Sequence, residues 1–214
     1  MKDIVEPGQL AVDEAVDIDL RDLRKLFAQS DEPKPEIRNP HLESRVSEAT
    51  RQSAKPSSVL ILITEEPQPR VLLTKRQIGI RFGGHLCFPG GRADPGEGVI
   101  ATALRESEEE IGLPQSQVEV LGSYGHYYTQ AGFRIDPIVG IVDRSTQYAI
   151  EPSEVASIHY AQLREMLDPA AYVMKSMHST RGYFGFDTGE VHVGGPTVSL
   201  MIGLLEWVSN QLDR

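Results

Sequence analysis

Three glutamates near the middle of the chain share one face of a predicted helix. Glu106, Glu109 and Glu110 stand at positions i, i+3 and i+4, which on an α-helix places them within an arc of about 100°. Like charges at this spacing repel one another, so a counter-charge would stabilise the helix. Carboxylate oxygens suit Mg²⁺ or Mn²⁺ better than Zn²⁺, and Mg²⁺ in proteins often binds substrate phosphate as well. The pattern indicates a phosphate-cleaving site, while the run alone also fits a solvated acidic helix face.

The residues around this run favour a phosphate-cleaving site over a solvated acidic helix face. Gly90 and Gly91 end a predicted strand, and two consecutive glycines let the backbone turn sharply and present a carbonyl oxygen to a ligand. Glu97 lies in the loop before the helix. Arg105 precedes the first of the three glutamates, where its planar guanidinium can hold a carboxylate through two hydrogen bonds.

These positions together match a known pattern over residues 91–113, GRADPGEGVIATALRESEEEIGL. It reads as a glycine, five residues, a glutamate, seven residues, then Arg-Glu-apolar-x-Glu-Glu-x-Gly-apolar, which is the Nudix box. Each glycine, glutamate and arginine of the pattern is in place. Ser107 occupies a position that the pattern gives to an aliphatic residue, and we expect a modest cost in stability there rather than lost chemistry. The chain therefore resembles the Nudix hydrolases.

The resemblance implies a fold and a reaction. Nudix hydrolases are α/β/α sandwiches with a mixed β-sheet, and they hydrolyse a nucleoside diphosphate linked to another moiety, with water attacking a phosphorus atom. It also implies a site for Mg²⁺ or Mn²⁺ made of the Gly91 carbonyl oxygen and the carboxylates of Glu106, Glu109 and Glu110. Arg105 and Glu97 would fix the helix and the loop behind these ligands.

Two pairs of glutamates are candidates for the group that takes the proton from the attacking water. Glu109 or Glu110, within the box, is the first choice for this general base. Glu151 or Glu154, in a loop before a late strand, is the second. The alternative for the latter pair is an acidic surface loop without a catalytic role.

Substrate choice has to come from residues outside the box. Five basic residues and no acidic one lie between residues 67 and 93, in a chain whose net charge is -10. This local excess can draw a polyanion to the metal site, or it can serve solubility at strand edges. The candidates for substrate binding are Arg76, Arg81 and His85, although a histidine in a loop is also commonly structural.

The same stretch resembles the segment before the box in coenzyme A pyrophosphatases. The similarity lies in Leu72-Leu73-Thr74-Lys75-Arg76, Arg81, Gly84 and Phe88-Pro89-Gly90-Gly91. Gln77 replaces a small residue of that pattern, and the stretch 81–84 is one residue shorter than in it. The resemblance implies coenzyme A or a derivative as substrate. ADP-ribose or a dinucleotide is the enzymatic alternative, and a nucleotide-sensing Nudix module without catalysis is an alternative of another class.

The elements that must position these groups are short and mixed. Apolar, β-rich runs predict strands at 58–63, 71–75, 118–126, 135–142 and 155–160. Helical spacing and end signals predict helices at 17–29, 98–111, 161–167 and about 197–211, and a hairpin over 183–193. Because strands and helices do not alternate regularly, we expect an α/β fold with a mixed sheet flanked by helices.

Length and composition suggest one domain with an extra arm. The chain has 214 residues, of which 40% are hydrophobic and 24% charged, which is ordinary for a soluble globular protein. Residues 1–55 are predicted to be an arm, with residues 1–16 loose, one helix, and from residue 30 a proline-containing stretch that is either linker or partly ordered arm. Residues 56–214 are predicted to be the Nudix domain. The helix of the arm either covers its own domain or joins a second copy in a homodimer.

Charge and cysteine content exclude several classes of protein. With 31 acidic and 21 basic residues, a surface that grips a nucleic acid polymer is not expected. The apolar runs are too short to cross a membrane. Cys87 is the single cysteine, which excludes a disulfide framework or a zinc–thiolate cluster and favours a reducing, cytoplasmic location.

Overall fold

The fold is a mixed β-sheet between layers of helices. The computed structural model describes residues 9–30, 34–41, 46–178, 181–189 and 191–213. In this part of the chain the helices are α1 (Leu20–Gln29), α2 (Glu48–Gln52), α3 (Val99–Ile111), α4 (Leu163–Met166) and α5 (Gly195–Leu212). The strands are β1 (Lys55–Glu65), β2 (Arg70–Arg76), β3 (Leu86–Cys87), β4 (Gly90–Arg92), β5 (Glu119–Ser123), β6 (Tyr127–Tyr128), β7 (Phe133–Asp143), β8 (Val155–Gln162), β9 (Tyr172–His178), β10 (Arg181–Asp187) and β11 (His192–Val193).

Strand β1 lies at the centre of the main sheet. It pairs in parallel with β7 and antiparallel with β2 and β4. Further out, β3 and β8 pair with β2, while β5 and β6 pair with β7. Both faces of β1 are covered, which explains why residues 59–63 form an unbroken apolar run. The predicted mixed sheet is confirmed.

The side chains of β1 alternate between two cores. Leu60 and Leu62 pack with Ala103 and other residues of the α3 side. Ile61 and Ile63 point the other way and belong to the larger core that α1 and α5 cover. This arrangement, with helices on both faces of one sheet, confirms the predicted α/β/α sandwich.

Helix α1 packs against its own chain. Leu20, Leu23 and Phe27 are buried in the larger core, and the ring of Phe27 lies 4.4 Å from that of Trp207 on α5. Of the two alternatives for the predicted arm helix, the structure favours the one in which it covers its own domain. The division of the chain at residue 55 stays a prediction.

The residues before α1 are more ordered than expected. Residues 1–8 lie outside the described residues; residues 9–16 form no helix or strand and are mostly exposed, but contacts fix this segment to the domain. Val12 is buried, and the N–H of Val16 donates to the carbonyl of Leu167 at 2.9 Å. The apolar side chains here are too widely spaced to form a helical pattern, so the sequence offered no periodic signal for their burial.

The predicted linker is also partly structured. It contains α2, which Ser47 caps by accepting a hydrogen bond from the N–H of Thr50. Residues 34–37 lie against the main sheet, where Glu36 forms a parallel bridge with His126. Residues 31–33 and 42–45 of the predicted linker lie outside the described residues.

This bridge explains why the predicted strand 118–126 is wrong in its second half. The structure has β5, then a break, then β6. At the break, Ile37 and Pro35 exchange backbone hydrogen bonds with His126. A Cβ on Gly125 would lie 2.7 Å from Cγ1 of Ile37, so glycine allows this close approach. The N-terminal segment therefore interrupts the strand, and no local pattern predicts that.

Other boundaries differ modestly. The predicted helix 161–167 shortens to α4, because Ala161 and Gln162 still pair with β2 as the end of β8. The predicted hairpin is present as the antiparallel pair β10 and β11, and α5 covers the predicted last helix. Where a strand was predicted to end at Gly90 and Gly91, the structure has two short strands, β3 and β4. Strands β6 and β9 and helix α2 were not predicted. No described helix is long and apolar enough to span a membrane.

Candidate active site

Arg105 and Glu97 join the start of α3 to the loop that precedes it. Nε and Nη2 of Arg105 donate to Oε1 and Oε2 of Glu97 at 2.9 and 3.0 Å. The N–H of Asp94 and the hydroxyl of Thr102 donate to the same carboxylate at 3.0 and 2.8 Å. These bonds, the one from the Arg105 guanidinium first, lower the pKa of Glu97 to about 2. Glu97 is therefore an ionised anchor.

The same guanidinium reaches two of the box glutamates. Nη1 of Arg105 donates to Oε1 of Glu106 at 2.9 Å and to Oε2 of Glu109 at 3.0 Å. Glu109 is largely exposed, with 58% of its side chain accessible, whereas 16% of the Glu106 side chain is accessible. Arg105 thus orients one half-buried and one exposed carboxylate.

Strand β4 brings Gly91 beneath Glu106. Gly91 pairs with Ser58 of β1, whose even-numbered neighbours face α3. A Cβ on Gly91 would overlap the carboxylate of Glu106. Only glycine therefore lets the carboxylate lie against the backbone here. Burial raises the pKa of Glu106 above its ordinary value.

Glu110 is the most buried of the three glutamates. It is 3% exposed, and its Oε2 accepts a hydrogen bond of 3.2 Å from the N–H of Gly90. Nη1 of Arg76 is 3.9 Å from its Oε1. Burial outweighs these two contacts and raises the pKa of Glu110 to about 7. A buried carboxylate whose charge has so few favourable contacts is suited to binding a hard cation.

The three glutamates share a helix face but do not converge on one point. Arg105 draws Glu106 and Glu109 toward the loop, while Gly90 and Arg76 hold Glu110. Within the described residues no group of three acidic, histidine or cysteine side chains is close enough to hold a metal ion. In its chemistry the donor set fits a divalent cation, because Glu110 is buried, Glu106 is partly buried, and both have raised pKa values.

The loop before β8 lies beside these carboxylates. The N–H groups of Ala149 and Glu151 donate to the carbonyls of Ile111 and Glu110 at 2.9 Å each, which ties the loop to the end of α3. The charge of Glu154 contributes to the raised pKa of both Glu106 and Glu110. The carboxylate of Glu151 instead accepts hydrogen bonds from Ser153 in its own turn. The structure therefore distinguishes Glu154 from Glu151, which the sequence alone did not.

The three predicted substrate-binding residues take different positions. Arg76 and His85 line a pocket next to Gly90. Arg81 lies on the intervening loop, with its guanidinium 4.8 Å from the ring centre of Phe82, and its carbonyl accepts a hydrogen bond from Nε of Arg76.

Two segments of this pocket were not singled out from the sequence. Residues 129–135 and the first turns of α5 form part of its wall. Both are far from the box along the chain, and neither carries a motif. Phe82, an aromatic residue in a glycine-rich loop, was a sequence signal that could have identified this pocket.

Comparison with known proteins shows the family to which the chain is similar. The family model described as the NUDIX domain matches residues 54–177. The Photorhabdus laumondii protein named uncharacterized Nudix hydrolase NudL is 37% identical over 139 residues, which cover 64% of this chain and 72% of that protein. A protein of the same name from Yersinia pestis (strain Pestoides F) is 37% identical over 146 residues, covering 67% and 72%.

A solved structure shows a weaker likeness. The MutT/nudix family protein from Enterococcus faecalis aligns with a TM-score of 0.48 and 14% sequence identity, over 90% of this chain and 70% of that one. The family model covers the box, the central strands and the loop before β8. The chain therefore belongs to the Nudix hydrolase family, whose enzymes act on pyrophosphate bonds.

Proposed function

We propose that this protein is a Mg²⁺- or Mn²⁺-dependent pyrophosphatase that cleaves a nucleoside diphosphate linked to another moiety, with coenzyme A or a derivative as the preferred substrate. Nudix hydrolases act on small nucleotide substrates and generally need divalent metal ions. The observation that carries the proposal is Glu110, which is 3% exposed and packed against Gly90, with the partly buried Glu106 packed against Gly91 beside it. Burying a carboxylate with as little compensation as Glu110 has is unfavourable unless a cation neutralises it.

The metal ligands proposed are the Gly91 carbonyl oxygen and the carboxylates of Glu106, Glu109 and Glu110. When bound there, the metal would lower the pKa of a water molecule and neutralise charge on the phosphate oxygens.

The side chains of this chain would then divide the remaining tasks. Arg105 and Glu97 keep the loop and α3 in register through their two-point ion pair. Arg76, next to Glu110 and facing the pocket, is placed to attract a phosphate. Glu154 supplements Glu109 and Glu110 as a candidate to accept a proton, because its charge acts on both Glu106 and Glu110.

A product screen tests this proposal. Coenzyme A, its acyl derivatives, ADP-ribose, dinucleotides and nucleoside triphosphates would be incubated with Mg²⁺ and with Mn²⁺. We expect coenzyme A to yield adenosine 3',5'-bisphosphate. Glu110→Gln should lower the rate by about 100-fold or more, whereas Glu108→Gln, on the same helix but exposed and hydrogen-bonded to Gln115, should stay close to wild type.

The screen also separates the alternatives. Vigorous cleavage of ADP-ribose or a dinucleotide with inert coenzyme A would establish the alternative substrate class. Nucleotide that binds but stays intact after long incubation with either metal would show a sensing module. Because each glycine, glutamate and arginine of the box is in place, we favour an enzyme over a sensor.

A further inference from the structure

A pocket of about 330 Å³ opens beside the glutamate site. This volume falls within the range usual for ligand sites, about 300–1,000 Å³. Gly90 and Arg76 belong to its wall, and both also contact Glu110. A ligand whose phosphates reach the glutamates can therefore place its other end in this pocket.

The pocket walls are mainly hydrocarbon. They include Phe82, Leu86, Phe88, Phe133, Pro196 and Leu200. The thiol of Cys87 is also part of the wall, and burial raises its pKa, so at neutral pH it is uncharged and behaves as a small apolar group. The polar side chains of the wall are those of Arg76, His85, Thr129 and Thr197, so a sugar placed against the hydrocarbon part would leave hydroxyl groups without partners, which is unfavourable.

Phe82 at this pocket has an unusual backbone conformation. Its φ is 61°, and within the described residues it is the single non-glycine residue with positive φ. This conformation is unfavourable for an L-residue with a bulky side chain. The strained backbone leaves an aromatic ring that is 59% exposed instead of buried in the core. Strain of this kind is retained where a side chain has a function, and contact with a bound apolar group would provide one.

We propose that this pocket binds an apolar chain carried by the second moiety of the substrate, such as the acyl chain of a coenzyme A thioester. The inference rests on the proposed function and adds a chain-binding subsite to it. Each methylene group that enters the pocket should strengthen binding about fourfold, the factor that corresponds to transferring it out of water. The gain should end when the chain outgrows the pocket.

The test is a chain-length series on wild type and two variants. The KM of acetyl-, butanoyl-, hexanoyl- and octanoyl-coenzyme A would be measured, together with the dissociation constants of the matching S-acyl-N-acetylcysteamines, which carry no phosphate. Ala131→Trp fills the pocket from a lining position that is itself exposed, so it should not disturb the core. Gln130→Trp adds the same ring at the exposed neighbouring residue and is the matched control.

In wild type and Gln130→Trp, KM and dissociation constant should both fall as the chain lengthens. In Ala131→Trp both should become independent of chain length.

If coenzyme A thioesters are cleaved but neither quantity depends on chain length, the subsite is disproved while the proposed function stands. If they are not cleaved, a chain-length dependence of the phosphate-free thioesters that Ala131→Trp removes would still support the subsite. Equal weakening of ADP-ribose and acyl substrates by Ala131→Trp would instead identify a nucleoside pocket and overturn the proposal.

Discussion

Single carboxylates of this site differ in ionisation because their surroundings differ. The guanidinium of Arg105 lowers the pKa of Glu97 to about 2, while burial raises that of Glu110 to about 7. Groups whose pKa values are pushed apart in this way usually have different roles. Glu97 is suited to anchor Arg105 as a permanent anion, and Glu110 is suited to bind a cation that displaces its proton.

Glu154 and Glu151 provide a matched pair for locating the general base. Glu154 acts electrostatically on both Glu106 and Glu110, and in the described part of the chain no hydrogen bond fixes its carboxylate. We expect Glu154→Gln to lower kcat by about 100-fold with little change in KM, as loss of a general base does. Glu151→Gln, in the same loop, should remain close to wild type because Ser153 holds its carboxylate in a local turn.

Steady-state kinetics across pH would check this pair. An unchanged kcat in Glu154→Gln, with a large loss of kcat in Glu109→Gln, would indicate that the general base is Glu109, within the box.

At the scale of elements, α3 and its surroundings were the most predictable part. The helix was predicted to within one residue at its start, and it ends where Gly112 adopts a left-handed conformation with φ 65°. Ser107 is fully buried and donates to the carbonyl of Ala103 at 2.7 Å, which satisfies the hydroxyl at the position usually aliphatic. These features depend on local residue order, so one sequence suffices to read them.

Features that depend on distant segments were not predictable in the same way. The break between β5 and β6 arises from residues 35–37, and the pocket combines residues from β1 to α5. The contact of Arg76 with Glu110 joins β2 to α3. Periodicity reports which face of an element is buried, but it contains nothing about which distant segment covers that face.

The junction of β4 with α3 can be tested at Gly91. Gly91→Ala should displace the carboxylate of Glu106, since the added Cβ would overlap it. The clash is with the far end of a flexible side chain, so the free energy of unfolding should change by less than about 1 kcal/mol. Activity should fall by about 100-fold or more, as expected when a metal ligand is misplaced.

Gly98→Ala is the matched control, because a Cβ there meets no atom within 4 Å. Its turnover and its urea midpoint should both stay near wild type. A fully active Gly91→Ala would show that the position of Glu106 does not matter for catalysis.

At the scale of the whole molecule, the N-terminal segment is part of the core beyond the matched family domain. Leu23 is 1% exposed and lies in the larger core with Phe27. Arg24 joins the helix to Glu65 and Glu119 at the ends of β1 and β5. A segment that contributes both apolar burial and ion pairs should behave as one folding unit with the sheet.

Leu23→Ala tests whether α1 unfolds together with the domain. Removing this buried side chain should lower the free energy of unfolding by about 2–5 kcal/mol, as in other cores. Leu212→Ala, at a position 50% exposed, should cost less than about 0.5 kcal/mol. Chemical denaturation followed by circular dichroism measures both. A small effect of Leu23→Ala would indicate that α1 is an independent arm.

His41 links this N-terminal segment to β10 and α5. Its Nδ1 accepts a hydrogen bond from the N–H of Phe184 at 3.0 Å, and its Nε2 pairs with the hydroxyl of Ser199 on α5 at 3.1 Å. Burial lowers the pKa of His41 from its ordinary value of 6.5. The folded protein therefore favours the neutral ring, which alone can accept from Phe184.

The sign of the resulting pH dependence follows from this lowered pKa. Between the folded and unfolded pKa values the unfolded chain binds the extra proton, so the stabilisation by neutral His41 is complete above about pH 6.5 and decreases below it. Within that interval the loss should be about 1.4 kcal/mol per pH unit. His41→Gln keeps an acceptor but does not titrate, so its urea-unfolding free energy should fall less between pH 7.5 and pH 5.5 than that of wild type. Equal slopes would show that protonation of His41 does not affect folding.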